Sequence, residues 1–78
     1  MKQTPALNKL NAKLATRNDD QLLALYSMSD VMQDAIEMKD PRYKEYSVVK
    51  VCIEEELVRR HGQETGSIMI DSLCNALY

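Results

Sequence analysis

The chain has 78 residues, 45% of them hydrophobic and 28% charged, with two Gly, two Pro, two Cys, four Tyr and neither Trp nor Phe. That length holds one domain, residues 1–78, and excludes doubly wound sheets and barrels, which need well over a hundred residues. The hydrophobic share is too high for a disordered tail, and no run approaches the ~18 apolar residues of a membrane span, so no membrane partner is expected.

A domain of this size buries only about 60% of its unfolded surface, and this core must be built from Leu, Ile, Val, Met and Tyr. Self-association into a homodimer is therefore one way to gain stability. The formal net charge of −2 is polarised along the chain. Residues 1–18 hold Lys2, Lys9, Lys13 and Arg17 and no acid. Residues 19–41 hold Asp19, Asp20, Asp30, Asp34, Glu37 and Asp40 against Lys39 alone, and the remainder is nearly balanced.

In chain order, Thr4-Pro5 reads as a cap followed by a first-position proline, opening a helix that ends near residues 16–18. Leu7, Leu10 and Leu14 recur on one side of it, and Lys9, Lys13 and Arg17, four residues apart, form a basic ridge on its flank. Asn18-Asp19-Asp20-Gln21 predicts a second start: Asn18 caps, Gln21 reaches back, and two aspartates face the positive end of the dipole. The helix that follows is predicted over residues 19–38. At 100° per residue it gathers Asp30, Asp34 and Glu37 on one face, while its apolar residues cover more than half the circumference. A face that wide implies either a central helix packed on two neighbours or contact with another molecule.

Asp40-Pro41 restarts the chain, and Tyr46, Val49, Ile53 and Leu57 carry a third helix to a stop at Gly62 in the left-handed conformation. Glu55–Arg59 and Glu56–Arg60 fit the helix as i,i+4 pairs, against the β-branched run at residues 47–53 that favours a strand. The stretch 62–67 is the most loop-like in the chain, with Thr65 or Ser67 placed to cap a short last helix along Ile70, Leu73 and Leu77. The expected fold is all-α, a small bundle of three main helices plus a short C-terminal helix.

Catalytic chemistry is poorly supplied. Two glycines exclude P-loop and dinucleotide fingerprints, and His61, the single histidine, rules out most triad and acid–base arrangements. His61 beside Gly62 reads as a helix-end residue that suits the dipole when protonated. Cys52 and Cys74 lie in apolar helical patterns, no second ligand stands at CxxC or HxxxH spacing, and the N-terminus does not read as a secretory signal. They are expected to be thiols in the cytoplasm. Glu54, Glu55 and Glu56 read as an exposed flank. No enzyme, cofactor or metal is expected.

Three surfaces remain. The acidic row of Asp30, Asp34 and Glu37 spaces carboxylates one turn apart and can imitate phosphates in a basic channel of a larger protein or protein–nucleic-acid complex. Tyr26, Tyr43 and Tyr46 are candidate interface anchors beside it. The ridge of Lys9, Lys13 and Arg17 supports an alternative, contact with nucleic-acid phosphates, although no predicted helix begins with the residues of a base-reading element. Met28, Met32 and Met38 suit either an irregular core, their default role, or an interface.

In its size, in Gln21-Leu22-Leu23-Ala24-Leu25-Tyr26 within a capped helix, and in Asp40-Pro41 leading into Glu56-Leu57-Val58-Arg59-Arg60, the chain resembles the short helical accessory proteins of phages and mobile elements, a type that includes some anti-CRISPR proteins. The resemblance implies a non-catalytic inhibitor that binds a host defence or nucleic-acid complex stoichiometrically. It carries over no site residue.

Overall fold

The computed structural model describes residues 5–77, with side chains through residue 75, and among them the chain is all-α. Its helices are α1 (Pro5–Ala15), α2 (Asp19–Asp34), α3 (Pro41–His61) and α4 (Gln63–Leu77). α3 packs against each of the other three, most extensively α2 and α4. The arrangement is flattened, 34 × 33 × 20 Å, the thin dimension matching about two helix diameters of ~10 Å.

The start signals act as local chemistry predicts. Pro5 opens α1, while Thr4 and Lys2 lie outside the described residues. Asn18 Oδ1 accepts from the Gln21 backbone N–H at 2.8 Å, and Gln21 Oε1 accepts from that of Asn18 at 3.0 Å, a reciprocal capping box. Asp40 Oδ1 accepts from the Arg42 backbone N–H at 2.9 Å, with Pro41 in the first turn. Residues 47–53 are helical.

Two boundaries differ from expectation. α2 stops at Asp34 rather than at residue 38, and residues 35–40 form the reversal into α3. Its last turn holds no base, and Asp34 and Glu37 would place negative charge at the negative end of the dipole. The early stop also lets α3 return directly along α2. At the other junction, residues 63–67 are helix: α4 begins at Gln63, immediately after Gly62, and runs 15 residues. Gly62 has φ 91° and ψ 163°, positive φ without the left-handed helical ψ, and this single residue redirects the chain. Gly66 is a crossing point rather than a loop glycine. A Cβ built there would meet Val58 Cγ2 at 2.9 Å, its N at 3.0 Å and its Cα at 3.1 Å.

The core is Leu14, Leu22, Tyr26, Cys52, Ile53, Leu57 and Ile70, with α1 leucines, Val49, Met69 and Leu73 packed around it. Leu22, Ile53 and Leu57 are wholly buried, each worth about 1.5–3 kcal/mol. Beside this apolar centre runs a polar ladder. The pairs Asp19–Arg60, Tyr26–Glu54, Asp30–Lys50 and Gln33–Ser47 hold α2 and α3 antiparallel in one constant register.

At one end of the ladder three helix termini meet at Arg60. Its Nη2 donates to the carbonyls of Leu14 (3.2 Å) and Ala15 (3.3 Å) at the end of α1, its Nη1 to Asp19 Oδ1 (3.1 Å) at the start of α2, and its Nε to Glu56 Oε2 (2.8 Å). Glu56, expected on an exposed flank, is buried, because it faces Arg60 on one side and Arg59 on the other. The Arg59 pair is therefore made with Glu56, not Glu55. His61 Nε2 lies 2.7 Å from Asp19 Oδ2.

Two measurements check this account. Gly66→Ala is expected to cost about 1–3 kcal/mol in urea unfolding, because two of the three atoms it meets are backbone; Val58→Ala in the same chain should restore only part of it. The bond to His61, then that to Arg60, holds the Asp19 carboxyl below its ordinary 3.8, and Arg42 holds Asp40 at about 2. Both contributions to stability are complete above the unfolded value and are lost as pH falls through the lowered folded one. The wild type should therefore lose stability from about pH 4 towards pH 2, and Asp19→Asn or Asp40→Asn should each flatten that limb.

Candidate functional site

α2 has its chemistry reversed relative to an ordinary surface helix. The side turned to α3 buries Leu22 and Tyr26 but also Ser29 and Gln33, with Asp30 half-buried beside them. Gln33 donates its amide to the Tyr43 carbonyl at 3.1 Å and to Ser47 Oγ, and its Oε1 accepts from Lys50 Nζ at 3.2 Å. The same Nζ lies 2.6 Å from Asp30 Oδ1 and 5.3 Å from the centre of the Tyr26 ring. The opposite side carries Ala24, Met28, Val31, Met32 and Ala35, with Met28 64%, Val31 55% and Met32 45% exposed. Met38, in the turn beyond, is 79% exposed. The methionines, whose default role was core packing, are thus outside, because the polar residues have taken the side facing α3. Arg17, Gln21, Ala24, Leu25 and Met28 line a shallow concavity of about 300 Å³ at the N-terminal end of this stripe.

The structure does not bring the acidic row and the tyrosines together. Asp30 is turned inward to Lys50, Asp34 is exposed on α2, and Glu37 lies in the turn after the helix, exposed and 3.4 Å from Lys39. The row is broken because α2 ends before Glu37. Tyr26 is a core residue whose hydroxyl donates to Glu54 Oε1 at 3.1 Å; burial, then that bond, keeps its phenol protonated far above the ordinary value. Tyr43 and Tyr46 are half-buried on α3. Lys9, Lys13 and Arg17 are exposed, and among the described residues none forms an ion pair with them. The stripe through Ala24, Val31 and Ala35 was legible only as excess apolar circumference. Which way it faces depends on α3 offering Ser47, Lys50 and Glu54 to the polar side.

Cys52 and Cys74 are free; burial raises the Cys52 thiol and keeps it protonated. Among the described residues no three His, Cys, Asp or Glu side chains converge as a metal-ion cluster, and no helix is long and apolar enough to cross a membrane. The cleft of about 160 Å³ between α3 and α4, near Glu54, Gly66 and Ser67, shares its Glu54 with Tyr26. By fold the chain is a small all-α protein. Comparison with protein-family models, with curated proteins and with solved structures finds no match.

The inward side of α2 is testable by a double-mutant cycle. Lys50→Met removes the ammonium that Asp30 and Gln33 Oε1 share and should cost about 2–3 kcal/mol. Combined with Asp30→Asn it should cost less than the sum of the single changes, with a coupling of about 1–3 kcal/mol in denaturant unfolding.

Proposed function

We propose that this protein is a non-catalytic protein-binding module whose working surface is the outward side of α2, bordered by Asp34 and, beyond the helix end, Glu37. The observation that carries the reading is the reversal itself. A soluble domain with a small core loses hydrophobic stabilisation by leaving Met28, Val31 and Met32 in water while polar groups line its helix interface. Met28, Val31 and Met32 are three of the large apolar side chains exposed among the described residues, and on α2 they would contribute to binding what they do not contribute to folding. Methionine suits this use, because its flexible thioether adapts to the surface it meets.

On this reading the protein acts by occupying a larger partner, blocking or scaffolding it. The likeness to phage and mobile-element accessory proteins, some of them anti-CRISPR proteins, supports stoichiometric inhibition of a host nucleic-acid complex as the biological form of that action. The two free cysteines support a cytoplasmic setting. Asp30 and Tyr26, engaged with Lys50 and Glu54, contribute by holding α2 in place rather than by touching the partner.

A second reading has its own observation. Lys9, Lys13 and Arg17 stand exposed along and just beyond α1 without ion-pair partners among the described residues, a spacing that suits phosphate contacts. Salt-sensitive binding of labelled DNA or RNA that is lost when all three become Ala would establish it and displace the first.

The first reading is tested by affinity capture with the wild type and with Met28→Asn and Val31→Asn. Both sites are more than half exposed, so each change should shift stability by no more than about 0.5 kcal/mol. A partner retained by the wild type should be lost by both variants. Equal retention by all three would remove the outward side of α2 from the function.

A further inference from the structure

We infer that the concavity at the start of α2 takes a segment of another protein that presents a bulky apolar side chain flanked by carboxylates, an inference that rests on the protein-binding reading of α2. The concavity, about 300 Å³, is lined by the apolar Ala24, Leu25 and Met28 and by the polar Arg17 and Gln21. That volume is at the low end for a small-molecule pocket and suits one or two protruding side chains. Met28 belongs both to the concavity and to the exposed stripe, so the two surfaces are continuous.

Charge decides which segment. Among the described residues, Lys39, Arg42, Lys50, Arg59 and Arg60 are each paired with an acid of this chain. Arg17 at the concavity is not, and neither are Lys13 and Lys9, which follow it back along the exposed ridge of α1. Lys9 and Lys13 are about 6 Å apart along the helix axis, and the Arg17 backbone N–H, bonded to the Leu14 carbonyl at 3.1 Å, continues the turn. Carboxylates on alternate residues of an extended segment repeat at about 6.6 Å, close to that interval.

The acids near Arg17 do not cancel it. Asp19 is held by Arg60 and His61. Asp20 is exposed, forms no ion pair with Arg17, and at 100° per residue is turned about 90° round α2 from the middle of the residues lining the concavity. A foreign carboxylate therefore meets an unpaired guanidinium on one side of its apolar neighbour.

The apolar lining also separates this occupant from a nucleic acid. Phosphates would satisfy the ridge, but no lining residue is aromatic, so no ring is placed to stack a base in the concavity. The net charge of −2 works against a long polyanion, whereas a short segment sets its carboxylates opposite the ridge alone.

The test titrates the isotope-labelled full chain with three synthetic peptides of equal length. The first has a central pair of leucines with glutamates at alternate positions on one side; the second replaces the glutamates by lysines, and the third keeps the glutamates and replaces the leucines by serines. The first should shift the backbone signals of Arg17, Gln21, Ala24 and Met28, bind about tenfold more tightly than either of the others, and weaken as salt is raised. Arg17→Gln should weaken it about five- to tenfold, and Lys9→Gln with Lys13→Gln by about threefold. Lys44→Gln, which removes an exposed base on α3, should leave it unchanged, and Met28→Asn should bring it down to the level of the serine peptide. Circular dichroism on every variant separates lost binding from lost folding.

Equal binding of the glutamate and lysine peptides through Met28 overturns the charge assignment and leaves the protein-binding reading standing. Equal binding of the serine peptide removes the concavity from the interaction and overturns the inference as well. Absence of binding by all three also overturns it, while the capture experiment judges the broader reading by itself. A single-stranded oligonucleotide of about 12 nucleotides that shifts Lys9, Lys13 and Arg17 and binds more tightly than the first peptide assigns the ridge to nucleic acid instead. A doubling of mass in sedimentation, with the signals of Arg17 and Met28 shifting on concentration alone, assigns the concavity to a second copy; either result overturns the inference.

Discussion

The structure depends on Arg60. α1 and α3 both direct the negative ends of their dipoles into one region, and α2 begins there with its positive end. A single guanidinium meets all three needs: it donates to the last carbonyls of α1, pairs with Asp19 in the first turn of α2, and is held in place by Glu56 one turn back on its own helix. The planar fork suits that task where a lysine would not, because its donors point in fixed, separate directions. Glu56 can be buried only because Arg59 and Arg60 both reach it.

From that corner the remaining contacts are set by register. Once Asp19 lies opposite Arg60, an antiparallel α2 must bring Tyr26 to Glu54, Asp30 to Lys50 and Gln33 to Ser47. The far end closes through the reversal at residues 35–40 and the Asp40 cap, and α4 folds back from the positive-φ Gly62 to press Gly66 onto Val58. The flattened shape follows. With a thin dimension of 20 Å, about two helices deep, no third layer of the described residues lies over the outward side of α2.

Local chemistry was the most legible part of the sequence. Asn18 with Gln21, and Asp40 with Pro41, mark helix starts whose hydrogen bonds involve neighbouring residues, so no tertiary knowledge is needed to read them. The end of α2 was harder, because no Gly or Pro marks it; what stops the helix is the return of α3 together with acids at a negative terminus. Gly66 looked like loop punctuation and serves as a packing site, a distinction that depends on where Val58 lies. Helical projection found the excess apolar circumference of α2 correctly but could not orient it. It treated Asp30 as a surface charge and Met28 as core, whereas the partners on α3 make the opposite assignment.

That orientation has a physical cause, and the cause bears on function. Rotating α2 by half a turn would bury Met28, Val31 and Met32 and gain apolar contact with α3. It would also expose Leu22, carry Gln33 away from Ser47 and Asp30 away from Lys50, and leave the Glu54 and Lys50 side chains facing apolar surface. An unmatched buried charge costs several kcal/mol, comparable to burying one or two large apolar side chains, and the rotation would strand more than one polar partner. The polar ladder therefore fixes the rotation of α2 as well as its register. The apolar stripe stays in water because the inside of the helix is too specific to give way. A surface held out in this manner is preformed, so on the proposed protein-binding reading docking would require no rearrangement of the fold.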